Sequence, residues 1–137
     1  MSDLFELSME PDALQRVSEL GLAHVGDAVF ELLVRSSLCM DGAATNKTLH
    51  KRTVAQVSAP AQAEFVEKIL PLLTEQELAV YRRGRNAHPH QTPKGATGAQ
   101  YSRATGLEAL FGWLWLTGQR ARINALFAAG TEAGHAL

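Results

Sequence analysis

SELGLAHVGDAVFELLVRSSLCM, residues 18–40, decides the fold class. Ser18 is an N-cap residue type, able to take an orphan backbone N–H, and Asp41-Gly42 is a stop signal, so one helix is expected from Ser18 to Met40. Wound at about 3.6 residues per turn, Leu22, Val25, Val29, Leu32 and Leu33 form one broad apolar stripe. Leu20, Ala23, Phe30, Val34 and Leu38 form another, roughly opposite. A helix apolar on two sides is buried on two sides, either as a central core helix or as one shared between the core and a subunit interface. Asp27 falls in the middle of the second stripe, directly after Gly26. A carboxylate there is costly unless it meets a cation or hydrogen-bond donors.

The helix expected over residues 101–117 has the same oddity. Its LEALFGWLWL run is apolar almost all round, and Glu108 is its only acid. Glu108 shares a face with Tyr101, Ala104, Thr105, Phe111, Gly112 and Trp115. Gly112 lies one turn along, and its missing side chain lets another element approach closely. Two carboxylates on two buried helices suggest a shared partner. A hard cation with oxygen ligands is the natural candidate, with Mg2+ keeping several of its waters. The plainer alternative is a pair of satisfied core acids, Asp27 with Arg35 or a backbone group and Glu108 with Arg103.

Between these helices the punctuation is helical throughout. Thr45 or Asn46 caps a helix to about Val57, and Ser58-Ala-Pro60 starts a third that runs to about Leu70. Thr74-Glu-Gln-Glu77 is a capping box for a fourth, to about Ala87. A short last helix is expected from about Gln119 to Ala129, and residues 1–17 read as a loose lead-in with a helical piece from Asp12. HPHQTPKGATGAQ, residues 88–100, has two prolines, two glycines and no large aliphatic residue, and reads as a mobile loop. No segment alternates with period two, so the class is all-α, a helical bundle.

The 137 residues suit a single domain spanning 1–137. The one cysteine, Cys39, excludes an intrachain disulfide and fits a reducing, cytoplasmic location. No apolar run is long enough to span a bilayer, and the acidic start lacks the basic region of a signal peptide. The net charge of -1 does not advertise a nucleic-acid binder, but the distribution does. Residues 1–41 hold eight acids and two bases, whereas residues 78–107 hold Arg82, Arg83, Arg85, Lys94 and Arg103 with no acid. Residues 42–63 add Lys47, Lys51 and Arg52, again without an acid. A chain neutral overall can carry a phosphate-binding face.

LAHVGDAVF (22–30) resembles the signature of the ribonuclease III family, and ATGLEALFG (104–112) resembles that family's second motif. Either is weak alone; together, about 80 residues apart and on the two anomalous helices, they are specific. VSAPAQAEF (57–65) and RRGRNAH (82–88) are similar to elements of the short Mini-III branch, and the resemblance covers roughly residues 20–118. It implies a ribonuclease III-type endonuclease domain without a double-stranded-RNA-binding domain, acting as a homodimer. It further implies Mg2+-dependent cutting of double-stranded RNA to 5′-phosphate and 3′-hydroxyl ends, and maturation of the large-subunit (23S) ribosomal RNA precursor. Asp27 and Glu108 match the family's catalytic metal ligands. The positions of Leu20, Ala23 and Thr105 carry acids in larger members and none here, which makes a single metal the safer expectation.

Duplex RNA is read mainly by shape, through phosphates and 2′-hydroxyls. The expected RNA-binding residues are Arg82, Arg83, Arg85, Asn86, Lys94 and Arg103, with His50 and Lys51 from the other acid-free segment. The 88–100 loop is expected to clamp a groove or to be a plain connector. His24, near Asp27 on the helix wheel, is read as structural rather than as a general base. The rival function is a catalytically silent double-stranded-RNA-binding or ribosome-assembly module on the same fold, against which the presence of both Asp27 and Glu108 argues. His88-x-His90 with one distant cysteine is no zinc site, and the motifs of serine hydrolases and P-loop enzymes are absent.

Overall fold

The computed structural model describes residues 3–42, 45–87 and 95–132. Among these residues seven α-helices follow in order: α1 (Pro11–Leu14), α2 (Glu19–Met40), α3 (Asn46–Val57), α4 (Ala59–Ile69), α5 (Glu75–Asn86), α6 (Gly98–Leu116) and α7 (Arg120–Glu132), with one 3-10 turn at Leu70–Leu72. Among the described residues there is no strand, as the absence of period-two patterning requires. The caps are those the sequence advertises. Ser18 Oγ accepts from Gly21 N at 2.9 Å, Thr45 Oγ1 from Thr48 N at 3.1 Å and Ser58 Oγ from Ala61 N at 3.4 Å. The Thr74/Glu77 box closes in both directions, at 3.1 and 2.9 Å.

α6 is the hub. α2 lies along it, α5 and α4 pack against its other sides, α7 covers α4 and α6, and α3 braces α2. The core contains Phe30, Val34 and Leu38 from α2, Phe65, Val66 and Ile69 from α4, and Val80 and Tyr81 from α5. Leu107, Leu110, Phe111 and Leu114 of α6 and Ile123, Leu126 and Phe127 of α7 complete it. Phe30 sits edge-on to Phe65, Phe111 and Phe127 at centroid distances of 5.1, 5.6 and 5.7 Å, a geometry that aromatic quadrupoles favour.

Three expectations change. α6 begins at Gly98, not at Tyr101, because Thr97 and Gln100 form a second capping box with bonds of 3.0 and 2.9 Å. The expected 88–100 loop therefore loses its last three residues to a helix, and its 88–94 part lies outside the described residues. The lead-in, from residue 3 onward, is pinned rather than loose. Met9 N donates to Leu116 O at 2.7 Å, Ser8 Oγ to Thr117 O at 3.3 Å and Arg120 Nη1 to Phe5 O at 2.6 Å. The end of α6 leaves orphan carbonyls, and the N-terminal segment satisfies one of them. Finally, the two apolar stripes of α2 have different fates. Leu22, Ala23, Gly26, Phe30, Val34 and Leu38 are buried. Val25, Val29 and Leu33 are only partly covered, and Leu32 is 58% exposed. Among the described residues no helix is long and apolar enough to cross a membrane.

Candidate metal centre and RNA face

The site originates in two glycines. A Cβ at Gly26 would overlap the Glu108 carbonyl, and a Cβ at Gly112 would overlap the Leu22 carbonyl. The backbones of α2 and α6 therefore touch, each helix supplying a glycine to the other. Asp27 follows Gly26, and Glu108 lies one turn before Gly112. The crossing sets the two carboxyl groups within hydrogen-bonding reach of each other.

Asp27 differs from its expected position. It is exposed, not buried in the second stripe, and Leu20 of the same stripe is 43% exposed. Burial on α2 is centred on Gly26, where the α6 backbone lies, so residues flanking that line splay to its edge. Asp27 thus stands at the mouth of the site and Glu108 deeper within it. Burial, above all, pushes the Glu108 carboxyl up to about 8; the Asp27 charge and a hydrogen bond with Asp27 add to this, and the Gln62 amide opposes it. Without a cation, Glu108 holds a proton at neutral pH beside Asp27, as closely placed carboxyl groups must.

Neither plain pairing occurs. Arg35 pairs with Glu31 at 2.9 Å, and Arg103 with Glu67 at 3.5 Å. Glu108 instead opens on a cavity of about 390 Å3 between the first turn of α4 (Ser58, Pro60, Gln62) and α6 (Tyr101, Ala104), closed by Gly95 and Ala96. His24 is exposed and lines a separate apolar groove, not this cavity. Among the described residues no group of three or more His, Cys, Asp or Glu side chains gathers to hold a metal. Ala23 and Thr105 are buried, and the Thr105 hydroxyl is spent on Tyr101 O at 3.0 Å. Two carboxyl groups, one at the mouth and one reluctant to ionise alone, fit a hard cation that keeps most of its waters. They do not fit zinc, whose sites take three or four protein ligands with His or Cys among them.

Gln62 is the residue that sequence reading missed. It is 1% exposed, and its Nε2 has no hydrogen-bond partner. The signal was present: Gln62 stands at the head of the spacing Gln62, Phe65, Val66, Ile69, whose other members are core residues.

The basic residues divide. Arg85 and Arg103 both approach Tyr81, whose phenol is raised by burial and lowered by each guanidinium. The Arg85 guanidinium stacks over the Tyr81 ring at 5.8 Å, and its Nε donates to Asn86 Oδ1 at 3.3 Å. Arg85, Asn86 and Arg103 therefore share one side of the α5–α6 pair. Arg82 is exposed, whereas Arg83 turns to Glu19 of α2 at 3.8 Å. His50 and Lys51 are exposed on α3, and His50 faces Arg35 and Cys39, well along α2 from Asp27. Lys94 lies outside the described residues, as do His88 and His90.

A family model, that of the ribonuclease III domain, matches residues 20–119. The chain belongs to the ribonuclease III family. Within it the similarity is to Mini-ribonuclease 3 proteins. That of Symbiobacterium thermophilum is 43% identical over 113 residues, which cover 82% of this chain and 87% of that protein. That of a Thermoanaerobacter species is 45% identical over 108 residues, covering 79% and 76%. A crystal structure of a protein from Fusobacterium nucleatum superposes with a TM-score of 0.80 at 29% identity, covering 87% of this chain and 97% of that one. The matched span includes both glycines of the crossing and both carboxylates.

The raised Glu108 carboxyl has a consequence for stability. The folded state holds this proton more tightly than the unfolded chain, whose value is near 4.5, so metal-free stability falls as pH rises from 4.5 to about 8. Unfolding midpoints measured in EDTA across that window should decline for the wild type and decline less for Glu108→Gln. Equal slopes for the two proteins would show that Glu108 ionises normally.

Proposed function

We propose that the chain is a divalent-metal-dependent endoribonuclease that cuts double-stranded RNA, with Asp27 and Glu108 as catalytic metal ligands and Mg2+ as cofactor. The observation that supports this most strongly is the carboxyl pair at the Gly26–Gly112 crossing, with Glu108 lifted to about 8. When bound, the cation lowers the pKa of a coordinated water and offsets phosphate charge. The protein's own part is to supply oxygen donors and exclude rival cations. Glu108 gives up its proton as it becomes a ligand. Asp27, at the mouth, faces the side from which a phosphodiester arrives. Hydrolysis adds water across one P–O bond and leaves a 5′-phosphate and a 3′-hydroxyl, with no covalent enzyme intermediate.

The RNA backbone is held by Arg82, Arg85, Asn86, Lys94 and Arg103, with His50 and Lys51 further away and Arg83 turned off this face to Glu19. The grouping of Arg85, Asn86 and Arg103 around Tyr81 supports the centre of this face. The substrate we assign is the large-subunit (23S) ribosomal RNA precursor, in the cytoplasm. The partner is a second copy of the chain. Val25, Ala28, Val29, Leu32 and Leu33 of α2, with Phe5 and Trp115, line an apolar groove of about 550 Å3. Phe5 is 73% exposed there, and a contiguous apolar surface of this kind favours an interface.

A labelled RNA duplex incubated with Mg2+, with EDTA and with Asp27→Asn tests the activity. Discrete products are expected only from the wild type with Mg2+. Duplex binding without cutting would favour a silent RNA-binding module, and neither would refute both. Sedimentation tests the pairing: the wild type should be a dimer and Leu32→Asp a monomer. A wild-type monomer with full activity would contradict it.

A further inference from the structure

Gln62 has no role in packing that leucine would not perform better. It occupies a core position of α4 beside Phe65, Val66 and Ile69, yet it is polar and 1% exposed. A buried donor without an acceptor destabilises a fold, and Gln62 Nε2 is the one buried side-chain nitrogen or oxygen among the described residues that lacks a partner. What lies beside it is the site. Gln62 and Glu108 line the same cavity, and the Gln62 amide is the group that favours ionised Glu108 against burial and Asp27.

We propose that Gln62 is a positioning residue, whose Nε2 donates to one Glu108 carboxylate oxygen when a cation is bound and so turns the other oxygen to the cation. This rests on the metal-centre reading above. Without a cation Gln62 Nε2 has no well-formed hydrogen bond, although its amide lies close enough to Glu108 to act on the carboxyl. A carboxylate drawn to a cation in the cavity that both residues line gives that donor its acceptor. An uncharged amide suits this task. An arginine here would neutralise Glu108 outright, as Arg122 does Glu77 with bonds of 2.8 and 2.9 Å, and would compete with the cation. A leucine would leave the new charge facing an apolar wall. Donors that orient a metal ligand in this way are worth about 10-fold or more in affinity.

Calorimetric titration of Mn2+ into the wild type, Gln62→Leu and Gln62→Met, paired with metal-free unfolding midpoints, separates the two roles. The expected result is a Kd about tenfold weaker in both variants, with midpoints unchanged or raised. A lowered midpoint with unchanged Kd would mean that Gln62 is only packing and would overturn the proposal. A second measurement needs no variant: in the 15N-labelled wild type, one Gln62 side-chain amide proton should move downfield and exchange more slowly as Mg2+ is added. An unperturbed signal at saturation would also overturn it. Asp27→Asn distinguishes the levels. If the wild type binds no Mn2+, the metal-centre reading fails and carries this inference with it. If the wild type binds, Asp27→Asn does not, and the Gln62 variants match the wild type, this inference alone fails.

Discussion

The close contact between the α2 and α6 backbones is the constraint on which the rest depends. Gly26 lies against the Glu108 carbonyl, and Gly112 against the Leu22 carbonyl. With a side chain at either position the helices would have to separate, and the carboxyl groups of Asp27 and Glu108 would part with them. The same contact organises the core, since α6 is the hub around which α2, α4, α5 and α7 assemble. Stability and site geometry thus share one interface. A substitution that loosens the crossing should be felt in both.

Two glutamates illustrate how environment divides structural from chemical carboxylates. The Glu77 side chain is 4% exposed, caps α5 through the backbone N–H of Thr74, and receives two bonds from Arg122. Those bonds, Arg122 first among them, outweigh burial and hold its carboxyl below the usual value. Glu108 has no such arginine. Its near neighbours are another carboxyl and an amide, and it is pushed up instead. A group held in the state that water would not give it, in a cavity, marks a functional site more often than a structural one. Gln62 extends the pattern: its unpartnered amide lines the same cavity as that carboxyl.

Much of the fold was legible because its signals are local. Ser18, Thr45, Ser58 and Thr74 cap the helices they were expected to cap, and the apolar spacing within α2 and α6 marks both as central. Thr97-x-x-Gln100 is just as local, but it follows a loop rich in Pro and Gly, and the loop composition masked it. What escaped reading depends on partners far along the chain. Met9 bonds to Leu116, and nothing near Met9 says so. The depth of Asp27 could not be read from α2 alone, because burial there follows the path of α6. Arg83 was placed with Arg85, but two residues on a helix turn it to Glu19 on the other side. Both carboxylates drew attention because each interrupts the apolar pattern of its own helix. Gln62 is equally anomalous on α4, but an amide among apolar residues draws less attention than a charge.

The central claim is that one cation and one Glu108 proton compete for the same site. Calorimetric binding of Mg2+ in buffers of different ionisation enthalpy measures the proton released directly. At about pH 6.5, where Glu108 still holds its proton, the wild type should release close to one proton per cation bound, and Glu108→Gln should release almost none. Binding without proton release in the wild type, or equal release from Glu108→Gln, would contradict this account of the site.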